Sequence, residues 1–270
     1  MNNLKKKIAK FLGRKLPYFI GKNIIIRTLY NPNRNINSGE KFTIDYFGKK
    51  YAGITSNYID WGVYFYEGLE KGLINYIKSQ ISQFNYFFDI GSNSGTISLP
   101  FIGYKNLKII CFEPLAYSYN KLVNNFKLNN AIHNTKFFKL ALSDTKGEKK
   151  IFYARSNSNI GMATLAIDRE NNFFNEFEKI KTDKLDNLFK LKNKKIFIKI
   201  DVENYETKVI EGAKNFLNEN KILMYLETEN KSLLEKLKKK NFRIYFPKFK
   251  EGKFKFISKQ YSHHVILKNF

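Results

Sequence analysis

Cysteine occurs once in the 270 residues, as Cys111 inside the apolar run IICFEP. That scarcity excludes an intramolecular disulfide and a cysteine-built metal site, so Cys111 reads as core filler. No apolar run approaches the roughly 20 residues that a membrane-spanning helix requires. The opening MNNLKKKIAKFLGRKLPYFIGKN scatters lysine and arginine through what would be the apolar segment of a secretion signal. The expectation is a cytoplasmic chain, with peripheral attachment to the inner face of the membrane left open. Internal repeats and Pro-rich or Gly/Ser-rich linkers are missing as well. Histidine is rare: His133 sits in the turn-like NNAIHN, and His263 and His264 precede the apolar VILKN, where neighbours on a strand face opposite sides. Converging strand-end carboxylates could hold Mg²⁺, but no H-x-x-x-D or similar ligand run supports it, so no metal is expected.

Acidic residues are scarce at both ends. Up to Gly39 the chain has nine basic residues and no acid, and from Lys231 to Phe270 it has twelve basic and two acidic ones. The ends therefore hold +19 of the net charge of +24. Two basic flanks around a near-neutral centre favour anionic partners: phosphorylated substrates, acidic glycans or a lipid headgroup layer. The abundance of Lys, Asn, Ile, Phe and Tyr also fits compositional drift in an AT-rich coding sequence, and composition alone does not separate the two.

What is present is a pattern of alternating strands and helices. Residues 1–80 read as an N-terminal extension. Its basic amphipathic helix, with Ile8, Phe11 and Leu12 among lysines, breaks near Pro17 and either caps the domain or lies on a membrane. A strand pair follows around KFTIDYFGKKYAGI, then a helix over Tyr64 to Ile81. From residue 81 onward NYFFDI, LKIICFEP, TKFFKLALSD, KIFIKIDVEN and KILMYLETE read as strands, with helices at TISLPFIG, YSYNKLVNNFKL, TKVIEGAKNFL and KSLLEKLKKK. FRIYF and HHVILKN close the sheet as a hairpin. This order predicts an α/β fold with a mostly parallel seven-stranded sheet, an antiparallel C-terminal hairpin and right-handed crossovers. A segment at about 155–190 reads either as a lid over the acceptor or as an extension of the sheet.

Ligands in such sheets bind at the carboxyl ends of the strands. There the sequence carries D-x-G-x-x-x-G: Asp89, Gly91 and Gly95. Gly91 allows a tight turn, Gly95 allows a backbone to approach a ligand, and Asp89 supplies a carboxylate for an amine-bearing group. The G-x-G-x-x-G dinucleotide fingerprint is not met, since Ser92 and Asn93 follow Gly91. Eighteen residues after Gly95 the next strand ends in Glu113, an acid that can accept hydrogen bonds from both ribose hydroxyls. Without a glycine-rich pyrophosphate turn, the combination favours S-adenosyl-L-methionine over a nicotinamide dinucleotide.

DIGSNSGTISL, CFEP with a helix ending in NN, LALSD, NIGMATL, KLDNL and IKIDVENYETKVIEGA occur in the order found in FkbM-type methyltransferases. From about Tyr58 to Glu229 the sequence resembles that family. The resemblance implies a Rossmann-like class I methyltransferase in which Asp89, Gly91, Ser92, Asn93, Gly95 and Glu113 bind S-adenosyl-L-methionine, with Ser143 and Asp144 near the adenine. Asn204 stands where the family has glycine, and Ser92 where alanine is usual; asparagine tolerates a left-handed backbone well.

Methyl transfer needs an aligned acceptor oxygen and a base. Asp201 is the first candidate at the reacting centre and Glu203 the second, unless Glu203 serves as a helix N-terminal carboxylate instead. Glu227 and Glu229 end the next strand. Lys199, in an apolar strand, needs a partner, and Asp201 lies two residues on, on the same face. The expected function is O-methylation of a small molecule or glycan, most simply a sugar hydroxyl of a surface polysaccharide or its activated precursor. RNA methylation is an alternative favoured by charge, against which IDVEN lacks the N/D-P-P-Y/F run of base-amino methylases. A non-catalytic Rossmann-like binding protein is the third class. The expected partner is a small or glycan acceptor, open to an anionic one, rather than nucleic acid.

Overall fold

The computed structural model describes residues 2–270 except 18, 20, 36, 155–161, 168–172, 251, 252, 261 and 262. Helices α1 (Asn2–Lys15) and α2 (Lys22–Leu29) come first, then strands β1 (Lys41–Tyr46) and β2 (Lys49–Ile54) as an antiparallel hairpin turning at Gly48. The single helix expected over Tyr64 to Ile81 is two: α3 (Tyr58–Tyr66) and α4 (Lys71–Gln80). Glu67 and Gly68 both take left-handed backbone, and the Tyr46 ring fills the space where a Gly68 side chain would stand, so the chain turns there. Asn57 starts α3 by accepting hydrogen bonds from the backbone N–H groups of Ile59 and Asp60.

The core follows: β3 (Tyr86–Ile90), β4 (Lys108–Phe112), α5 (Ala116–Lys127), β5 (Thr135–Phe138), β6 (Ala141–Leu142), β7 (Gly147–Tyr153), β8 (Glu176–Asp183), α6 (Leu185–Leu188), β9 (Lys195–Ile200), α7 (Glu206–Glu211), α8 (Lys214–Glu219), β10 (Lys221–Glu227), α9 (Lys231–Lys239), β11 (Arg243–Lys250), β12 (Lys253–Ile257) and β13 (His264–Lys268). The main sheet runs β12-β11-β13-β10-β9-β3-β4-β5. Its five strands from β10 to β5 are parallel, and β13, β11 and β12 are joined by antiparallel pairings. The sheet therefore has eight strands where seven are expected. The addition is β12, whose alternating KFKFI sets Phe254 against Tyr76 and Phe249 and leaves Lys253 and Lys255 on the edge. Lysines on an edge strand oppose further pairing.

Alternation along the parallel strands divides the interior in two. Phe88, Ile90, Ile110 and Phe112 pack with α7, α8 and α9, while Phe87, Ile109 and Cys111 pack with α4, α5 and the β1–β2 hairpin. Three other expectations are corrected. TISLPFIG is turns and a 3-10 helix at Leu99–Phe101, since Asn93 and Gly95 are left-handed and Pro100 cannot donate. TKFFKLALSD breaks after Phe138, and β6 joins β7 and β8 in a separate three-stranded sheet. TKVIEGAKNFL is two helices, α7 and α8, separated at Gly212 and Ala213.

Candidate active site

At the end of β3, Gly91 turns with φ +76, and a Cβ there would lie 1.9 Å from the Asp201 carbonyl oxygen. Glycine is thus obligatory at the point where the β3 and β9 tips touch. The backbone N–H groups of Gly91 and Ser92 both donate to the Phe112 carbonyl, and Ser92 Oγ donates to the Asp89 carbonyl at 2.6 Å. Asn93 follows in left-handed conformation, and its N–H donates to Glu113 Oε2 at 2.9 Å. Glu113 Oε1 accepts from the Leu115 N–H at 3.0 Å. The loop after β3 is thereby fastened across the tip of β4, with the Glu113 carboxylate as the clasp.

This loop borders a cleft of about 990 Å³, its open mouth included. Of the residues singled out in the sequence, Gly91, Ser92, Asn93, Glu113, Lys199, Asp201 and Glu203 line it. Asp89 lies beneath, fully buried, with neither carboxylate oxygen hydrogen-bonded and Lys199 Nζ 3.8 Å away. Gly95 does not face the cleft: a Cβ there would meet Leu122 and Phe126, so its place is a left-handed turn packed on α5. Ser143 and Asp144 also stand off. Ser143 Oγ is 3.0 Å from the Tyr205 hydroxyl, Asp144 pairs with Lys208 at 2.8 Å, and Ala141 and Leu142 form the wall beside them.

Lys199 is paired with Asp201 at 3.3 Å, as its position in the strand predicts, and donates to the Gly91 carbonyl at 2.7 Å. Burial works against its charge, but Asp201, Asp89 and Glu70 outweigh it and hold its pKa above the usual lysine range. Glu70, which nothing in the sequence marks, lines the cleft from the start of α4. Burial pushes Glu70, Glu113, Glu203 and Glu227 each up to about 7. In Glu70 and Glu203 the neighbouring carboxylates add to the rise, and Lys199 opposes it.

Glu203 and Asn204 are consecutive left-handed residues, which answers why asparagine is tolerated at 204. The helix N-terminal role considered for Glu203 falls to Glu206, whose carboxylate accepts from the Asn204 N–H at 3.0 Å. A side chamber continues from the cleft past Glu70, Thr96 and Asp201 to Tyr46, Leu69, Glu227 and His264. His264 Nδ1 lies 2.5 Å from the Tyr225 hydroxyl, and burial lowers its pKa. His263 instead meets Glu229 at the surface, and His133 is exposed at the opposite end of the sheet. Within the segment at 155–190, Ala163 and Leu165 border the cleft and Thr164 Oγ1 donates to the Glu203 carbonyl at 2.6 Å, whereas β8 is the central strand of the smaller sheet. RSNSNIG, residues 155–161, lies outside the described residues.

Among the described residues no group of three or more His, Cys, Asp or Glu could hold a metal ion, and no helix is long and apolar enough to cross a membrane. Residues 89–244 match the methyltransferase FkbM domain. No curated protein matches the sequence. Among solved structures the chain is similar to a putative transferase of Pyrococcus horikoshii, at 12% identity and TM-score 0.45 over 99% of this chain and 98% of that one. It is similar also to the precorrin-6y C5,15-methyltransferase of Geobacter metallireducens GS-15, at 13% identity and TM-score 0.41 over 73% and 85%. A putative tRNA (m1A22) methyltransferase of Streptococcus pneumoniae in complex with S-adenosyl-L-methionine aligns at 11% identity and TM-score 0.43 over 73% and 71%.

Proposed function

Because the chain belongs to the FkbM methyltransferase family and is an S-adenosylmethionine-dependent methyltransferase, we propose that it methylates a hydroxyl of a sugar, in a surface polysaccharide or its activated precursor. The observation that carries the reading is the clasped loop, Gly91 to Asn93 held by Glu113, facing a cleft lined by carboxylates. That donor set fits the cofactor: Glu70, Glu113, Asp201 and Glu203 against the one lysine, Lys199, favour a cationic ligand. The free lone pairs of the Glu113 carboxylate suit ribose hydroxyls, and Ala141, Leu142 and Leu115 offer apolar walls for a base. When bound, the cofactor would supply a methyl group activated on a sulfonium sulfur, with a neutral thioether as the leaving group.

The chain's own residues then have two tasks. Lys199 fixes Asp201 and the Gly91 carbonyl together, so the loop and the β9 tip keep one geometry. Glu203, with its pKa raised to about 7, is suited to take the hydroxyl proton as the oxygen bonds to the methyl carbon. The chamber past Glu70 and Glu227 offers carboxylate acceptors to the remaining hydroxyls of a polyol.

The test is calorimetric titration with S-adenosylhomocysteine, with NADH as control, on the native chain and on Glu113→Ala. Radiolabelled methyl transfer is then read against free sugars, nucleotide sugars and bulk tRNA. Micromolar binding lost in the variant, with label in a sugar fraction, is the expected result. Label in tRNA alone would replace the acceptor assignment with RNA, and binding indifferent to Glu113→Ala would remove that residue from the cofactor site.

A further inference from the structure

The mechanism leaves α1 and α2 unused. Their inner faces are fully engaged. Ala9 and Ile26 are buried with Trp61 and Phe65 of α3, and Gly13 packs so closely that a Cβ would lie 2.2 Å from the Phe65 carbonyl oxygen. Lys22 Nζ donates to the Gly13 and Leu16 carbonyls at the end of α1, and Arg14 Nε to the Tyr64 carbonyl. The docking is complete without the outer face.

That outer face is nevertheless apolar. Leu4, Ile8 and Phe11 are exposed at 65, 41 and 59% and stand at helical spacing, on one stripe of α1. Leu16, Phe19, Ile24 and Ile25 continue the exposure through the connection into α2, Ile24 at 71%. Seven of the fifteen large apolar side chains exposed among the described residues thus fall between positions 4 and 25. Lys5, Lys7, Lys15, Arg27 and Arg34 stand exposed among them, with no acidic residue before Glu40. Helix α9 is the internal contrast. It is equally rich in lysine, but Leu233, Leu234 and Leu237 are all buried and only Ser232 and charged residues face out.

We infer that the α1–α2 face is a docking surface for an anionic lipid bilayer. Lysines beside exposed leucine, isoleucine and phenylalanine satisfy both demands of the interface: attraction to headgroups and an apolar stripe for the acyl boundary. A polyanion such as RNA accounts for the lysines alone and leaves the apolar stripe in water. The inference is independent of which acceptor is methylated.

Flotation of the full chain with vesicles of phosphatidylcholine alone, or with about one third phosphatidylglycerol, tests it. Binding to the anionic vesicles only, weakened by salt, is expected. Ile8→Ser with Phe11→Ser keeps every charge and is expected to lower partitioning about tenfold or more. Lys236→Gln, Lys238→Gln and Lys239→Gln together remove three charges from α9 and are expected to lower it less than about threefold. Phe11→Trp supplies a second readout, a blue shift of emission on vesicle addition. Circular dichroism and the thermal midpoint verify that each variant is folded. Absence of binding, equal losses in the two multiple variants, or an unshifted Phe11→Trp spectrum overturns the inference. Binding of an RNA oligonucleotide that survives Ile8→Ser with Phe11→Ser, in place of vesicle binding, would assign the face to nucleic acid.

Discussion

Lys199 is the residue on which the site's electrostatics turn. It is 3% exposed and is the cation shared by Asp89, Asp201 and, at longer range, Glu70. Removing one partner of a buried charge cluster leaves the others uncompensated. Lys199→Met is therefore expected to cost about 3–5 kcal/mol of stability, read from urea denaturation. A loss below about 1 kcal/mol would mean that Asp89 is neutral in the native protein. The raised carboxyls give a second expectation. Glu70, Glu113, Glu203 and Glu227 titrate near 7 in the folded chain against an ordinary 4.5, so the folded state holds protons that the unfolded state has released. Stability of the unliganded protein contributed by these groups thus declines as pH rises from 4.5 to 7. Cofactor binding runs the other way. A cation favours the ionised carboxylates and expels protons, so the Kd for S-adenosylmethionine should tighten about tenfold from pH 6 to pH 8 for each proton released. Calorimetry in buffers of different ionisation enthalpy counts those protons; a flat profile would show that none of the four is protonated in the free site. Gly91, Asn93 and Glu113 were legible in the sequence because they sit at strand ends within one short stretch of chain. Glu70 was not, because an isolated acid 19 residues before Asp89 acquires meaning only when α4 folds over the strand tips.

At the scale of elements, the parallel strands announce themselves as apolar runs because both faces are covered. The breaks are harder to read. Nothing local in EGLEKG or VIEGAKN separates a continuing helix from two short ones, since the decision lies with Tyr46 in the first case and the β6 end in the second. Gly212 has an ordinary helical φ of −81, and alanine in place of glycine within a helix usually gains about 1 kcal/mol. Here a Cβ would fall 1.9 Å from the Ser143 carbonyl oxygen. Gly212→Ala is accordingly expected to destabilise by about 1–3 kcal/mol and to weaken S-adenosylhomocysteine binding by displacing the wall next to Tyr205. A stabilised variant would mean that α7 slides away from the β6 end without cost. The edge strand β12 is not legible in the sequence because its lysine and phenylalanine alternate over only five residues and its partner, β11, already has a strand to pair with in β13.

The whole molecule carries +24, and the site lies in its near-neutral middle. Like charge of that size opposes compaction, and added salt screens it within about 10 Å at 0.1 M. Raising sodium chloride from about 20 mM to about 0.3 M is therefore expected to raise the thermal midpoint, measured by scanning calorimetry. A midpoint that falls would mean that the exposed pairs, such as Lys71 with Glu67, contribute more than the net repulsion removes.

Cys111 gives the sheet a clock. Its thiol is wholly buried in β4, opposite Asp89 of β3 and 3.6 Å from Ser98 Oγ, and burial pushes its pKa up. A thiol reagent reaches it only when the strands beneath the Gly91 loop part, so the alkylation rate reports how often the sheet opens there. With no second cysteine in the chain the signal needs no deconvolution. Saturating S-adenosylhomocysteine should slow that clock in proportion to the ligand concentration over its Kd, if the opening that exposes Cys111 is one that dismantles the Gly91 loop.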